Sequence, residues 1–404
     1  MSMSKPRILI AGGGIGGLAA ALALIRRGFD VQVYEQAPAL KEVGAGVQVS
    51  ANGMAVLEDL GVADRLMELA AHPEQRQIRM WNTGQRWTAF DLGSISVSTY
   101  GHPYVTVYRP DLLDALADGV RAAAPSALHL GRQIVGFDQD DAGVTLRFRD
   151  GGTAHGDALV GADGIHSVIR SGLYGADQAE FTGLVAWRGV IPMDSLPPHL
   201  AQNVSFNWVG PGRHVIQYPL RAGKLMNFVG IVERTDWLEE SWNTPGTHDA
   251  MKADFEGWHQ DVLDMIDAIP QPYLWALKLR PLLPTWTRGR ITLLGDACHA
   301  TLPFLAQGAV MAIEDGLVLA RALEEQPDLT SAFLSYEAAR QARTARIVTG
   351  SAENTRRFHN PALSDPATAQ AYVEREWTPE RLRERYDWIY RYDATTVPLG
   401  ELSA

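Results

Sequence analysis

At 404 residues the chain is long enough for about two domains, or for one domain with a large insertion, around a sizeable core. Its formal net charge of -11 and sequence pI near 5.5 argue against nucleic acid or an anionic membrane as partner. The one cysteine, Cys298, excludes an internal disulfide, the eleven histidines lack the spacing of a zinc site, and we therefore expect a cytoplasmic protein without a metal site.

An uncharged run from Ile8 to Ile25 is almost long enough to cross a membrane. Its five glycines would weaken a helix and expose backbone groups that lipid cannot satisfy, so a spanning helix is not expected. A signal peptide is not expected either, because no small-residue cleavage site precedes the strand DVQVYE. The residues instead predict a strand over 7–11, a glycine turn, a helix over about 15–27 and a second strand that ends at Glu35.

This βαβ unit carries a dinucleotide-binding pattern. Gly12, Gly14 and Gly17 match G-x-G-x-x-G, and Glu35 follows near the distance expected for a ribose hydroxyl acceptor. Gly12 permits a tight turn, Gly14 lets backbone amides approach a pyrophosphate, and Gly17 lets helix and strand pack closely. The N-terminus of the helix, at Ile15, supplies positive potential for the same anion. A glycine turn without a ligand is the alternative.

The rest of the chain changes several times between helical and strand-like sequence patterns. Strand-like segments between residues 182 and 232, separated by Pro and Gly turns, predict an antiparallel sheet inserted after the nucleotide-binding half. The other predicted elements are helices over 52–70 and 110–124, a hairpin and buried strand over 143–164, mixed helical structure from about 247, a strand over 290–296, a helix over about 307–325 and a helix over 378–392.

Three motifs occur in order along the chain: GGGIGG with Glu35, LVGADGIHSVIR at 159–170, and LLGDACHATLPFLAQGAVMAIEDG at 293–316. This set resembles the single-component FAD-dependent aromatic hydroxylases, and the resemblance extends from residue 7 to about 340. It implies an α/β fold like that of p-hydroxybenzoate hydroxylase: a Rossmann-like FAD-binding domain, an inserted antiparallel-sheet substrate domain and C-terminal helices.

The resemblance divides the chain into an FAD-binding domain of residues 1–180 and 281–345, a substrate-binding sheet of 181–280, and a C-terminal helical tail of 346–404. The helix LRERYDWIYRY in that tail is expected to pack on its own core or on a twofold partner, and partner binding is the less favoured alternative. A monomer or a homodimer fits this reading.

FAD is expected to bind tightly and non-covalently, with NADH or NADPH as a transient co-substrate. The chain has no second G-x-G-x-x-G and no C-x-x-C, so the nicotinamide co-substrate must bind transiently and has no permanent site of its own.

The resemblance also implies cofactor contacts in the second and third motifs. Asp163 stands in a loop near the FAD pyrophosphate, although a satisfied Asp turn is an equally good alternative. Asp296 accepts from an FAD ribityl hydroxyl, and a helix that begins near Gly308 points its N-terminus toward the flavin, whose reduced form is anionic. Arg109 matches a pyrophosphate- or flavin-facing arginine, with a solvated helix-start residue as the alternative. The cofactor residues expected are Gly12, Gly14, Ile15, Gly17, Glu35, Val47, Gln48, Arg109, Asp163, Asp296, Gly308 and Ala309.

Strand alternation in RHVIQYPL places His214, Ile216 and Tyr218 on one face, with Val215 and Gln217 on the other. This segment resembles the matching strand of the salicylate hydroxylase and 3-hydroxybenzoate 6-hydroxylase branch of the family. The resemblance implies that His214 accepts the phenolic proton and that Tyr218 orients the ring. A satisfied structural histidine is the alternative.

Arg188 is a candidate either for organising the flavin or for binding a substrate carboxylate, and Pro303 completes the expected substrate residues. Pro303 stands where the 3-hydroxybenzoate enzyme has a glutamine. Phe304 and Gln48 stand where 6-hydroxynicotinate 3-monooxygenase has histidines, which makes a pyridine substrate less favoured.

The resemblance implies that NAD(P)H reduces FAD, that O2 adds at flavin C4a, and that the hydroperoxide hydroxylates a small phenolic acid. Salicylate, converted to catechol, is the first expectation, with 3-hydroxybenzoate and 6-hydroxynicotinate as alternatives. A non-hydroxylating flavoprotein oxidase or a flavin-binding protein is the alternative class.

Overall fold

The computed structural model describes residues 5–40, 45–234 and 244–400. The strands in these residues are β1 (Arg7–Ala11), β2 (Asp30–Tyr34), β3 (Gly46–Val49), β4 (Gln75–Met80), β5 (Arg86–Asp91), β6 (Val105–Tyr108), β7 (Leu128–His129), β8 (Ile134–Gln139), β9 (Val144–Phe148), β10 (Thr153–Gly156), β11 (Ala158–Gly161), β12 (Glu180–Pro192), β13 (Ser205–Gly210), β14 (Arg213–Leu220), β15 (Leu225–Glu233), β16 (Thr244–Pro245), β17 (Tyr273–Leu279) and β18 (Ile291–Leu293).

The helices are α1 (Ile15–Arg26), α2 (Ala51–Asp59), α3 (Ala63–Leu69), α4 (Ser94–Tyr100), α5 (Arg109–Ala123), α6 (Val168–Tyr174), α7 (His248–Asp254), α8 (Gln260–Ala268), α9 (Asp296–His299), α10 (Gly308–Glu325), α11 (Leu329–Phe358), α12 (Pro366–Glu376) and α13 (Pro379–Tyr390).

A five-stranded parallel sheet, in the order β18-β11-β1-β2-β7, forms the centre of the first half of the fold. Its central strand is apolar and fully buried at Ile8, Leu9 and Ile10, as expected for a parallel sheet covered on both faces. Helix α1 packs against both α5 and α10 beside it. The uncharged run therefore forms β1, a turn and α1, and no helix in the described ranges has the length and apolar character needed to span a bilayer.

An eight-stranded sheet, in the order β16-β17-β12-β15-β14-β13-β4-β5, forms the second half. Strands β12 to β15 pair antiparallel, which confirms the sheet predicted over 182–232. The sheet also takes in β4 and β5, with β4 parallel to β13, although the sequence division assigned them to the first domain. Helix α11 also runs unbroken through residue 346. The domain division remains a prediction, and these two limits need adjustment.

Two predicted elements differ from the structure by more than two residues at one end or by an internal break. The helix predicted over 52–70 is divided into α2 and α3, because Gly61 adopts a left-handed φ of 71° between them. The strand predicted over 290–296 ends at Leu293, and Gly295 turns the chain with a φ of 65°. The tail helix α13 packs on its own chain and buries Leu382 and Tyr386.

Candidate active site

A cavity of about 310 Å³ lies between the two sheets. The loops that follow the carboxyl ends of β1, β11 and β18 form one wall, and side chains of β12, β14 and β15 form the opposite wall. The carboxyl edge of an open parallel sheet is where α/β folds bind nucleotides.

Most of the predicted site residues meet at this cavity. Those among its lining residues are Gly14, Ile15, Val47, Gln48, Arg109, Arg188, His214, Tyr218, Asp296, Pro303, Gly308 and Ala309. The predicted residues Gly12, Gly17, Glu35 and Asp163 are not among the lining residues.

The glycine turn has the geometry that its sequence predicts. Gly12 has a φ of 104°, and a side chain there would meet the carbonyl oxygen of Ala162 at 2.4 Å. A side chain at Gly17 would lie 2.1 Å from the carbonyl oxygen of Gly12, so α1 packs closely on the turn. By contrast, no atom lies within 4 Å of a side chain built at Gly14, which caps α1 without a side-chain hydrogen bond. The first amides of α1 thus face open space, as an anion site requires.

Glu35 braces the same turn. Its carboxylate accepts hydrogen bonds from the amides of Gly13 at 2.7 Å and Ala37 at 2.8 Å. The contact expected with a ribose hydroxyl remains a prediction, since both observed partners are backbone amides, one in the glycine turn and one in the loop after β2.

Asp163 binds the N-terminus of α6, whose N-cap residue is Ser167. Its carboxylate accepts from the amides of Val168 at 2.7 Å and Ile169 at 3.1 Å and from the Ser167 hydroxyl at 2.5 Å. Burial raises the pKa of Asp163, and these hydrogen bonds oppose the rise. This is the satisfied Asp turn that the sequence left as an alternative, and a direct FAD contact of Asp163 remains a prediction.

The third motif presents a second helix N-terminus to the cavity. Asp296 is exposed at the start of α9, and Gly308 and Ala309 are the first residues of α10. The Gln307 side chain donates to the Ser50 hydroxyl at 3.0 Å and does not cap α10. The first amides of α10 are therefore available to an anionic group in the cavity.

A buried ionic cluster, which the sequence analysis did not identify, holds this motif in place. Asp315 accepts from the amide of Gly295 at 3.2 Å, lies 2.6 Å from His299 and pairs with Arg340 at 2.7 Å. Arg340 also pairs with Glu314 at 2.7 Å. Burial opposes the charged carboxylates, but His299 and Arg340 hold the pKa of Asp315 below its ordinary value. The acid pair in IEDG was the available sequence signal.

Strand β14 places His214, Ile216 and Tyr218 on the cavity wall, which confirms the predicted alternation. On the other face, Val215 joins the core beneath the sheet and Gln217 accepts from the Trp208 indole. His214 and Tyr218 are both buried, and burial raises the pKa of the Tyr218 phenol while Arg188 opposes the rise.

His214 has two distinct ring nitrogens. Nδ1 lies 2.6 Å from Nε2 of His359, whereas Nε2 is buried without a hydrogen-bond partner in the described residues. Burial, followed by the influence of His359, lowers the pKa of His214 well below its ordinary value. The imidazole is therefore neutral at pH 7, and a neutral imidazole can take up a proton. His359 was not predicted from the sequence, because it lies far along the chain, beyond the end of α11.

Arg188 extends from β12 into the cavity wall. Its guanidinium stacks on Trp275 at 3.5 Å from the ring centroid, and its Nε has no hydrogen-bond partner within the described part of the chain. Burial lowers the pKa of Arg188 to about 9, and the nearby charge of Arg109 adds to this effect while Tyr218 opposes it. An anion bound in the cavity would offset both the cost of burying the Arg188 charge and its repulsion by Arg109.

Gln48 and Phe304, which the sequence singled out as departures from a pyridine-binding pattern, also lie on the wall. Gln48 accepts hydrogen bonds from Arg76 and from the Tyr104 hydroxyl, each at 2.6 Å. Phe304 packs edge-on against the His214 ring with the centroids 5.0 Å apart. No group of three or more His, Cys, Asp or Glu side chains in the described ranges is arranged to hold a metal ion.

Comparison with known proteins agrees with this geometry. Residues 5–351 match the family model described as an FAD binding domain. The chain belongs to this FAD-binding family. It is 36% identical over 402 residues to 6-hydroxynicotinate 3-monooxygenase of Bordetella bronchiseptica, covering 98% of both chains. It is 36% identical over 388 residues to 3-hydroxybenzoate 6-hydroxylase of Polaromonas naphthalenivorans, covering 96% of both.

A solved salicylate hydroxylase in complex with its substrate has the same fold, with a TM-score of 0.79, 26% identity, and coverage of 98% of this chain and 99% of that one. These likenesses confirm the predicted α/β flavoprotein fold and identify the chain as an FAD-dependent monooxygenase. The cavity fits FAD, because two uncapped helix N-termini face it and Arg109 lines it.

Proposed function

We propose that this flavoprotein hydroxylates a small aromatic acid that carries a phenol, with NADH or NADPH as transient electron donor and O2 as the second substrate. The observation that carries the proposal is Nε2 of His214, a buried imidazole nitrogen without a partner in the described chain, on the wall of the cavity. A buried polar atom left without a partner in a cavity wall is the mark of a missing ligand group.

His214 has the properties of a general base toward a phenol. A phenolate is a far stronger nucleophile than a phenol, so removal of the proton activates the ring for attack by an electrophilic oxygen. The lowered pKa of His214 keeps its imidazole neutral, and its partner-free Nε2 belongs to a side chain that lines the cavity where a ring would bind. Tyr218, four residues after His214 on the same face of β14, supplies a second polar group that orients the ring.

Arg188 supports an acid as the substrate. Its buried guanidinium lines the same cavity. No described residue accepts a hydrogen bond from its Nε, and a substrate carboxylate there would supply the missing negative partner. Charge-assisted hydrogen bonds of this kind are roughly twice as strong as neutral ones. A flat anionic ring held between Arg188 and His214 satisfies both groups at once.

Bound FAD supplies the redox and oxygen-activating chemistry. The chain supplies the surroundings: the amides of α1 and α10 favour anionic groups, and Phe304, Ile216 and Val229 contribute apolar wall that limits the access of water.

Among possible substrates we place 3-hydroxybenzoate first and salicylate second, which reverses the order expected from the sequence. In salicylate the ortho carboxylate itself accepts the phenolic hydrogen bond, whereas the phenol of 3-hydroxybenzoate is free to donate to His214. The 36% identity to a 3-hydroxybenzoate 6-hydroxylase supports the same choice. A 6-hydroxynicotinate substrate has equal support from identity. The resemblance, however, implies histidines in that enzyme where Phe304 and Gln48 line this cavity.

The test is a coupled assay with 3-hydroxybenzoate, salicylate and 6-hydroxynicotinate. NADH loss, hydroxylated product and hydrogen peroxide are measured together for each compound. We expect close to one product per NADH with 3-hydroxybenzoate. If 6-hydroxynicotinate gives coupled product while both benzoates yield only hydrogen peroxide, the substrate proposal is wrong. If every compound yields only hydrogen peroxide, the chain is an oxidase toward them and hydroxylation itself is wrong.

A further inference from the structure

Three titratable side chains form a continuous row from the cavity to the surface. His214 is fully buried at the cavity wall, and its Nδ1 lies 2.6 Å from Nε2 of His359. Nδ1 of His359 in turn lies 2.8 Å from Oε1 of Glu233. The side chain of His359 is 2% exposed and that of Glu233 is 56% exposed. The row therefore begins at the substrate cavity and ends in solvent.

The hydrogen-bond partners fix where the protons lie in this row. A solvent-exposed carboxylate only accepts, so Nδ1 of His359 must donate to Glu233. Burial lowers the pKa of His359, with Glu233 acting against that fall, so the ring is neutral and its Nε2 is an acceptor. Nδ1 of His214 must then be the donor, which leaves a lone pair on Nε2 at the cavity. Glu233 thus selects, through His359, the tautomer in which His214 can act as a base.

The side chains packed around His214 and His359 leave this row as the route for a proton. Phe304 and Phe358 pack on the His214 ring, each at a centroid distance of 5.0 Å. In the described chain the titratable group that acts on the pKa of His214 is His359, and the one that acts on the pKa of His359 is Glu233. Arg213, the neighbour on β14, alternates to the opposite face from His214.

Arg357, the charged neighbour near the end of α11, donates instead to Asn354 and Glu353.

A fully buried imidazolium without a carboxylate in contact is costly, so His214 cannot store the proton that it removes. It can accept a proton at Nε2 only if the proton on Nδ1 leaves at nearly the same time. The 2.6 Å contact with His359 provides that exit.

We propose that His359 and Glu233 conduct to solvent the proton that His214 takes from the substrate, an inference that rests on the proposed function. The phenolic O–H bond breaks and its proton binds Nε2 of His214, while the Nδ1 proton moves to Nε2 of His359. The Nδ1 proton of His359 moves to Glu233, which releases it to water. No electrons are transferred, and the reverse sequence returns a proton to the product oxygen and restores the starting tautomers. His214 is the residue that touches substrate, whereas His359 and Glu233 are positioning residues.

The experiment follows phenolate formation without turnover. FAD-loaded enzyme is mixed with 3-hydroxybenzoate in the absence of NADH, and the ultraviolet band of the phenolate and proton release to a pH-indicator dye are recorded in a stopped-flow instrument. The wild type is compared with His359→Leu and Glu233→Gln. Glu353→Gln is the matched control, because Glu353 is a similarly exposed acid that pairs with Arg357 outside the row.

We expect phenolate formation to slow about tenfold or more in His359→Leu and Glu233→Gln, with little change in the affinity for 3-hydroxybenzoate or FAD. Glu353→Gln should behave as the wild type, and Glu233→Asp should recover much of the rate. Since Glu233 is at the surface, its variants are expected to fold, and they test the proposal even if His359→Leu fails to fold. If the enzyme hydroxylates 3-hydroxybenzoate but Glu233→Gln forms phenolate at the wild-type rate, the proton path through His359 and Glu233 is wrong and the proposed function stands. An unaltered enzyme that binds 3-hydroxybenzoate without forming phenolate would overturn the row and the role of His214 together.

Discussion

The ring of Tyr218 lies directly against Gly46, so closely that a methyl group at Gly46 would come within 2.4 Å of Cε2 of the tyrosine. Gly46 begins β3 beside the nucleotide-binding half, and its amide donates to the side chain of Asn227 at 2.9 Å. Tyr218 and Asn227 are paired across β14 and β15. The cofactor side and the substrate side of the cavity are thus in direct contact at this one glycine.

Gly46→Ala should therefore disturb both sides of the cavity. Overpacking at such a contact typically costs about 1–3 kcal/mol and forces either β3 or the Tyr218 ring to move. We expect a clear fall in kcat/KM together with weaker FAD retention, measured by steady-state kinetics and flavin fluorescence. Gly93→Ala is the matched control, since the nearest atom to its added methyl group is 3.6 Å away. Normal kinetics in Gly46→Ala would show that the contact yields without consequence.

The pH dependence of catalysis should reflect the low pKa of His214. Burial lowers this pKa well below the ordinary value of 6.5, so the base is unprotonated through that region and loses activity only at more acid pH. A profile of kcat/KM against pH should stay level as the pH falls through 6.5. A decline centred at or above 6.5, assigned to the free enzyme, would contradict a buried neutral His214.

The same experiment on His214→Gln isolates the base. Hydroxylation should slow by about a hundredfold or more, and bound FAD should be retained. A variant that hydroxylates at the wild-type rate would remove His214 from the chemistry.

Arg188→Met should discriminate between acidic and neutral ligands. Loss of a charge-assisted hydrogen bond costs about 1.5–3 kcal/mol, so the dissociation constant for 3-hydroxybenzoate should rise roughly tenfold to a hundredfold. Binding of the neutral analogue 3-hydroxybenzamide should change little, and Arg188→Lys, which keeps the charge, should show a smaller loss. An equal loss for acid and amide would instead assign Arg188 to the flavin side of the cavity.

Arg340→Met should destabilise the fold, because it leaves Glu314 and Asp315 with less buried positive charge. Removing one partner of a buried ion pair typically costs about 3–5 kcal/mol. The folded-state pKa of each acid lies below its ordinary value, so their contribution to stability is present above the carboxylate range and is lost as the pH falls.

The difference in unfolding free energy between the wild type and Arg340→Met should therefore be large at pH 7 and narrow toward acid pH in denaturant titrations. Arg65→Met, at an exposed ion pair with Asp118, is the control and should change stability little. A difference that widens toward acid pH would contradict the assigned charges.

Local patterns in the sequence were enough to predict several parts of the site. The bounds of β1, the turn at Gly12 and the shared face of His214 and Tyr218 depend only on neighbouring residues, and the structure agrees with each. Pattern also identified Asp163 as a polar residue at a strand end. It did not indicate whether the partner of Asp163 is a cofactor or the backbone of α6, because both are hydrogen-bond donors.

Contacts between distant residues were beyond such patterns. His359 follows a 30-residue helix, where its neighbours have the pattern of a helix end, and it meets His214 only because the folded chain brings the end of α11 beside β14. The addition of β4 to the eight-stranded sheet depends on parallel pairing with β13, more than a hundred residues later in the chain. The approach of Gly46 to Tyr218 likewise exists only after β3 has packed against β14.

The most direct test of the central claim is the fate of molecular oxygen. Wild-type enzyme is supplied with NADH, 3-hydroxybenzoate and dioxygen labelled with oxygen-18, and the aromatic product is weighed by mass spectrometry while NADH loss is recorded. The account predicts one labelled oxygen atom in each product molecule and close to one product for each NADH consumed. NADH consumption with labelled hydrogen peroxide and unchanged 3-hydroxybenzoate would contradict it.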